Sequence, residues 1–318
     1  MANCQKYLQF YCIALLSCAG ILLSSCTGLN KSVMLENAGN VPSRVEIETI
    51  PFYSQKAYQC GPAALAMVLN WSGLPISPED LTAEVFTPEC KGSFQSAMVS
   101  AVRRNGRVAY VFTGWSDLFV ELAAGHPVII LQNLGLSWYP VWHYAVVVGY
   151  DLPEKYVILR SGNIRRKHMS ISVFEKTWAR GKYWGLLILQ PNQVPATVKE
   201  DLFLKALLGL EEARQFQAAI EGYHTALTQW PKNLTALIGI GNCYYALKEL
   251  ENAEKAFRKA IRYHPTSGPA FNNLAQIFFE QGRKPEALAA AKKAVSLGGP
   301  MSSVYQKTLD DIKGLNGK

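Results

Sequence analysis

At 318 residues the chain exceeds one ordinary hydrophobic core and predicts two domains plus a targeting segment. With 49% hydrophobic and 18% charged residues, it is excluded from the mainly disordered and collagen-like classes. The net charge of +8 is scattered, in runs as short as Arg103-Arg104 and Arg165-Arg166-Lys167, so no nucleic-acid partner is expected. The seven cysteines show neither a Cys-x-x-Cys pair nor the Cys/His spacing of a zinc site. Neither metal nor cofactor is expected, and the thiols are read one by one; a Cys60–Cys90 disulfide stays open as an alternative.

Residues 1–25 read as a signal peptide. Lys6 precedes a mainly apolar run, Phe10 to Leu23, that is shorter than the ~20 residues a spanning helix needs and ends in Leu23-Ser24-Ser25-Cys26. That ending resembles the bacterial lipobox, which implies lipidation of Cys26 as the first mature residue. Leu15-Leu16-Ser17-Cys18 is a weaker second match, because it would cut the apolar run in half. A retained signal anchor is the alternative, and it too places the protein on a membrane surface. By resemblance to lipoprotein sorting in Gram-negative bacteria, Thr27 after the cysteine implies the outer membrane of the cell envelope. Residues 26–45, with several Asn, Gly and Ser, read as a lipid-anchored tether.

Val45 to Ile50 alternates as a short strand ended by Pro51. Then comes Gln55-Lys56-Ala57-Tyr58-Gln59-Cys60-Gly61-Pro62-Ala63-Ala64-Leu65. Pro in the first turn followed by Ala and Leu opens a helix, which puts Cys60 at its N-terminus. Free amide N–H groups and the macrodipole there favour a thiolate, the nucleophilic form. Phe94 to Asn105 shows helical spacing, Arg107 to Phe112 reads as a strand, Leu118 to Ala124 as a helix and Pro127 to Gln132 as a strand. His143-Tyr144-Ala145-Val146-Val147-Val148-Gly149-Tyr150-Asp151 reads as a buried strand whose first residue can reach toward a cleft. Lys155 to Leu159, Met169 to Val173 and Trp184 to Gln190 read as further strands, giving an α+β fold. A Cys at a helix start with a His at a strand start is one way to bring thiol and base together, and a satisfied core histidine is the bland alternative.

Residues 46–190 resemble the papain-like cysteine peptidases related to bacteriocin leader (double-glycine) peptidases, on the segments Gln59 to Leu65 and His143 to Asp151. The resemblance implies Cys60 as nucleophile, His143 as base and Gln55 as oxyanion donor, although those enzymes have one more residue between Gln and Cys. Gln55 as a solvent-facing loop amide is the alternative. Where the family places Asp-Pro on the next strand, this chain has Val157-Ile158-Leu159-Arg160-Ser161-Gly162-Asn163, with no carboxylate. Ser161 or Asn163 is left to orient the imidazole. Asp151, the nearest carboxylate after His143, lies roughly 25 Å down the same strand if extended, and fits a turn with Leu152-Pro153-Glu154. His126 and His168 read as structural or solvated. Trp138, Tyr139 and Trp142 read as a cleft rim or as core.

Residues 191–199, with Pro191 and Pro195, break the sheet pattern and read as a linker. Beyond it a period of 34 aligns Ala219, Ala253 and Ala287; Tyr223, Phe257 and Ala291; Ala226, Ala260 and Ala294; and Pro231 with Pro265. This pattern resembles tetratricopeptide repeats, three of them over 200–299, with residues 300–318 as a cap helix whose Leu309, Ile312 and Leu315 share a face. The resemblance implies a groove for a protein partner, with Asn242, Tyr244, Tyr245, Asn272 and Asn273 as candidates and Cys243 as core. Together these readings predict an envelope-anchored cysteine peptidase acting on a peptide or protein. A non-catalytic binding lipoprotein and an acyl or amide transferase using the same thiol are the alternatives.

Overall fold

The computed structural model describes residues 41–314. The apolar run from Phe10 to Leu23, Cys26, most of the expected tether and Leu315 lie outside the described residues. β1 (Arg44–Glu46) is shorter than the alternation from Val45 to Ile50 suggests. It is followed by α1 (Cys60–Trp71), of which every residue from Gly61 to Leu69 is buried. α2 (Pro78–Val85) has a Ser77–Asp80 capping box and proline in its first turn, start signals that the sequence reading passed over. β2 (Phe86–Thr87) and β3 (Gly92–Ser93) form a small hairpin before α3 (Gln95–Arg104).

The main sheet is built from β4 (Val108–Thr113), β5 (Val128–Asn133), β6 (Trp142–Asp151), β7 (Tyr156–Ser161), β8 (Ile164–Ser170), β9 (Trp184–Leu189) and β1. Its order is β4-β9-β5-β6-β7-β8, wholly antiparallel, with β1 added beside the end of β6. α4 (Trp115–Ala123) follows β4, and α5 (Ile171–Arg180) connects β8 to β9. The strand expected at Met169 to Val173 is therefore corrected: β8 ends at Ser170 and a helix begins at Ile171. Ile171 and Val173 suggest a strand by their β-branching, but Phe174, Thr177 and Trp178 are buried at helical spacing, and that face decides.

One face of the sheet packs Tyr144, Val146, Val148, Ile129 and Leu186 against α1, α2 and α3. The other carries a ring cluster in which Trp115, Phe119, Phe174 and Trp178 of α4 and α5 meet Tyr150 and Tyr183.

The remaining elements are α6 (Glu200–Glu212), α7 (Phe216–Gln229), α8 (Leu234–Ala246), α9 (Leu250–Tyr263), α10 (Gly268–Glu280), α11 (Lys284–Leu297) and α12 (Ser302–Lys313). Ala219, Ala253, Ala287, Ala226, Ala260 and Ala294 are all fully buried. At Gly241 a Cβ would run into the Phe257 ring, the close helix approach that a small residue permits. Leu309 and Ile312 of α12 close the last pair. Asn272, expected in a groove, is buried instead, and Tyr244 packs against the core of the last helices.

Segment 191–199 is no free linker. The Glu121 carboxylate, completely buried in α4, accepts hydrogen bonds from Thr197 N (2.7 Å), Thr197 Oγ1 (2.6 Å) and Ala196 N (3.2 Å), and meets His126 Nδ1 at 2.7 Å. The Tyr110 hydroxyl donates to Thr197 O and accepts from Lys199 N. α6 then lies against β4, and Gly209 is so close to the Arg103 guanidinium of α3 that a Cβ could not fit between them. Burial alone would raise the pKa of Glu121, but the hydrogen bonds from His126 and Thr197 outweigh it and hold the carboxyl below its ordinary value. Replacing Glu121 by Ala leaves several part-buried donors without their shared acceptor, an effect of about 2 kcal/mol. Urea unfolding of Glu121→Ala should show that loss together with new protease cleavage within 191–199; an unchanged midpoint and cleavage pattern would contradict the clamp.

Candidate active site

Cys60 is the first residue of α1 and is half-buried. Beside it, a Cβ on Gly61 would lie 2.6 Å from Ser93 Oγ and 2.8 Å from Ser93 Cβ. The β2–β3 hairpin can therefore close on the helix start only because residue 61 has no side chain. The Tyr144 hydroxyl donates to Ser93 O at 3.1 Å and ties the same hairpin to β6.

His143 is the second residue of β6. β7 pairs with β6 only from Val146↔Arg160 onward, which leaves the backbone of Tyr144 exposed on that flank. Gln55 fills the gap: its Nε2 donates to Tyr144 O at 3.2 Å, its Oε1 accepts from Gly162 N at 2.7 Å, and its own N donates to Gly162 O at 3.1 Å. The side chain is thus fixed between β6 and the turn after β7, and is not a loop amide facing solvent. A primary amide carries a second N–H, which is left for a ligand.

Of the two candidates for orienting the imidazole, Ser161 reaches it. Its Oγ, buried at the end of β7, stands 2.9 Å from His143 Nε2. Asn163 is exposed beyond the Gly162 turn and accepts from Ser54 Oγ at 2.6 Å, away from the ring. Asp151 sits in a turn at the far end of β6, accepting from Glu154 N and paired with Arg44. His126 is held by Glu121, and His168 stacks on Tyr156 at 4.1 Å between ring centroids.

Cys60, His143 and Gln55 line one cavity of about 770 Å³. Tyr139 and Trp142 form part of its wall, while Trp138 stands outside it, 80% exposed, so none of the three aromatics is core. Ser93, Tyr144 and the hairpin that carries Cys90 also line it. Sequence spacing gave no sign of these residues, since β2 and β3 are two residues each. Cys60, Cys90 and Cys243 are free thiols, so no Cys60–Cys90 disulfide is formed. Among the described residues no cluster of three or more His, Cys, Asp or Glu is placed to hold a metal ion.

The electrostatics correct the expectation of a resting thiolate. Burial pushes the Cys60 thiol up, and hydrogen bonds from the backbone of Tyr144, Gly61 and Cys60 itself only partly offset it. Burial, with Lys167 nearby, pushes His143 down to about 4. The ring's hydrogen bond goes to Ser161, not to the thiol. Each group alone is neutral at pH 7. Passing the proton from thiol to ring creates two opposite charges that relieve each other, so the cost falls when both ionise together.

Two measurements test this geometry. Gly61→Ala should lower stability by about 1–3 kcal/mol through overpacking against Ser93. Ser93→Gly in the same chain should restore much of that loss; independent, additive effects would rule out the contact. For His143, whose folded pKa is depressed below the unfolded value of 6.5, the unfolded chain binds the extra proton between about pH 6.5 and 4. Stability must then fall by up to about 3 kcal/mol as pH drops through that window. His143→Asn should flatten that part of the stability profile measured by denaturant unfolding; an identical profile would mean the ring is freely protonated.

Comparison with known proteins agrees with the fold. Residues 47–184 match the Peptidase_C39 like family, and residues 204–268 and 250–301 match the tetratricopeptide repeat. The chain is similar to a solved C39-like peptidase from Bacillus anthracis at 18% identity and a TM-score of 0.39, covering 46% of this chain and 97% of that one. It is similar also to the first tetratricopeptide domain of Spaghetti (RPAP3) bound to an HSP90 peptide, at 17% identity and a TM-score of 0.34, covering 38% of this chain and 94% of that one. A curated relative, response regulator aspartate phosphatase E of Bacillus subtilis (strain 168), is 24% identical over 153 residues, 46% of this chain. This chain spans only 39% of that protein's length. The molecule therefore carries a Peptidase_C39-like α+β domain followed by a series of helices that match tetratricopeptide repeats.

Proposed function

We propose that the chain is a cysteine peptidase anchored to the bacterial envelope through a lipid on Cys26, with the helical repeats recruiting a peptide or protein. The observation that carries the catalytic part is the convergence of Cys60, His143 and Gln55 on one cavity, with Ser161 on the far nitrogen of the imidazole. With Nε2–H donated to Ser161, Nδ1 is free to take the thiol proton. The Cys60 sulfur then attacks the substrate carbonyl carbon. The resulting oxyanion is met by the free Gln55 N–H and the Cys60 backbone N–H, an arrangement worth roughly 3 kcal/mol per donor. Collapse expels the amine, which takes its proton from His143 and leaves a thioester on Cys60. Water, deprotonated by the same ring, releases the acid and restores the thiol. Passage of the thioester to an amine instead of water would make the chain a transferase.

A second reading has its own observation. No carboxylate contacts the His143 ring among the described residues, and both thiol and imidazole are buried toward neutrality. This is what a binding domain with an inert thiol would show.

The two part on the alkylation of Cys60 by iodoacetamide against pH, followed by peptide mapping in the wild type and in His143→Ala. A catalytic pair predicts labelling that sets in well below the ordinary thiol pKa of ~8.5 and drops about tenfold or more at pH 6–7 in the variant. Labelling that begins only above pH ~8.5 and ignores His143 would leave the binding reading standing.

A further inference from the structure

The wall of the Cys60 cavity has one sign of charge. Lys56, Lys91, Arg180 and Lys182 line it, and among the described residues no aspartate or glutamate does. Lys56 is paired with Glu79 at 3.1 Å, outside the cavity, and Arg180 donates to Asn133 O. Lys91 and Lys182 have no carboxylate partner among the described residues; Lys91 stands over the Tyr58 ring at 5.8 Å.

Three of these rim residues also share an unusual backbone. Tyr58 (φ 63°), Lys91 (φ 46°) and Lys182 (φ 57°) all lie in the left-handed region, where glycine is the relaxed choice. A side chain there carries a conformational cost, and all three residues line the Cys60 cavity.

Part of the cavity wall is apolar and anchored from within. Asn133, itself buried, accepts from Gly135 N and Val141 N, each at 2.9 Å, and so fixes the β5–β6 loop from within. That loop and the first residue of β6 nevertheless expose Tyr139 (69%) and Trp142 (53%), both on the cavity. Aromatic side chains and unpaired lysines on one cavity fit a ligand with bulky apolar groups and carboxylates.

We propose that this cleft selects an acidic polypeptide segment, one that sets carboxylate side chains against Lys91 and Lys182 and an aromatic or large aliphatic side chain against Tyr139 and Trp142. The inference rests on the reading of Cys60 as the acceptor of a peptide acyl group. A nucleic-acid strand shares the charge, but on the proposed function the thiol lining the same cavity accepts an acyl group, which favours the peptide.

The test uses two alkylating probes of nearly equal size and different charge, iodoacetate and iodoacetamide, on the full-length protein. Peptide mapping separates Cys60 from the exposed Cys90. Relative to N-acetylcysteine amide, a neutral thiol, the iodoacetate-to-iodoacetamide rate ratio at Cys60 should be raised about threefold or more at low ionic strength and fall as salt is added. In Lys91→Glu/Lys182→Glu it should drop to the reference value or below. A second measurement follows binding to the Cys60→Ala protein by fluorescence anisotropy. A tryptophan-containing, glutamate-rich peptide should bind tighter than its lysine-rich counterpart and lose that preference in the charge-reversed variant.

A ratio equal to the reference at every salt concentration, tighter binding of the lysine-rich peptide, or displacement of the acidic peptide by a single-stranded oligonucleotide would each overturn the proposal. Neither probe requires turnover. A thiol slow toward both reagents that still keeps the charge preference would sink the catalytic reading and leave this one, while fast labelling without preference would do the reverse.

Discussion

The site depends on how the backbone of one residue is satisfied. β7 stops pairing with β6 before it reaches Tyr144, so that residue's amide and carbonyl face a gap on the flank of a buried strand. Buried backbone groups left unpaired are costly, and here Gln55 takes the carbonyl, while the Tyr144 amide lies close enough to the Cys60 sulfur to favour its thiolate. The α1 start and the loop before it are thereby drawn against the strand that carries His143. Gln55, Cys60 and His143, the proposed oxyanion donor, nucleophile and base, meet where the sheet leaves the backbone of Tyr144 to be satisfied. The same shortening leaves Ser161, the last residue of β7, at the level of the imidazole. A single strand ending thus places four side chains.

A consequence is that each member of the pair, taken alone, rests neutral. Helix-terminal amides do pull the thiol toward ionisation, but burial at the foot of the cavity is the larger effect, and for His143 burial and Lys167 act in the same direction. A serine hydroxyl on Nε2 can fix the ring but adds no charge to stabilise an imidazolium, unlike a carboxylate. For the proposed reaction, ionisation would have to come from proton transfer within the pair or from a substrate whose binding excludes water and positions its carbonyl. An aspartate at this place would stabilise the imidazolium before any substrate arrived; with Ser161 there, the pair is less ionised at rest and depends more on what enters the cleft.

Much of this was legible in the sequence, and the reasons for the gaps are physical. Cys60 stood out because Gly61-Pro62 before an Ala-rich run is a helix start, and the 34-residue period of the repeats survives in their fully buried alanines. Ser161 and Asn163 could not be separated, because which one faces the ring is set by the turn at Gly162 (φ 60°), and a one-residue change in a strand end swaps faces. α5 was misread because β-branched Ile171 and Val173 at its start outweighed the helical spacing that follows. The thiol's state was misjudged because a dipole can be read from a helix start, whereas desolvation requires knowing what packs above it. The residues from 191 to 199 carry every mark of a linker in composition, and nothing in their order reveals that Glu121, some seventy-five residues earlier, binds them.

That last contact bears on how the two parts work together. Had the prolines at 191 and 195 joined independent bodies, the repeats would raise the local concentration of a bound partner without directing it, as a flexible linker does. Instead Glu121, Tyr110 and Arg103 fix segment 196–199 and α6 against β4 and α3, so the first helix of the repeats packs as part of the sheet domain. α3 is also among the helices that cover α1, whose first residue is Cys60. The start of the repeats is thereby joined to the sheet domain by direct contacts and not by a free linker. On the proposed function, a partner seated on the repeats would present to Cys60 only those segments that this attachment lets reach the cleft. Selection would arise from position first, and from the chemistry of the cleft wall second.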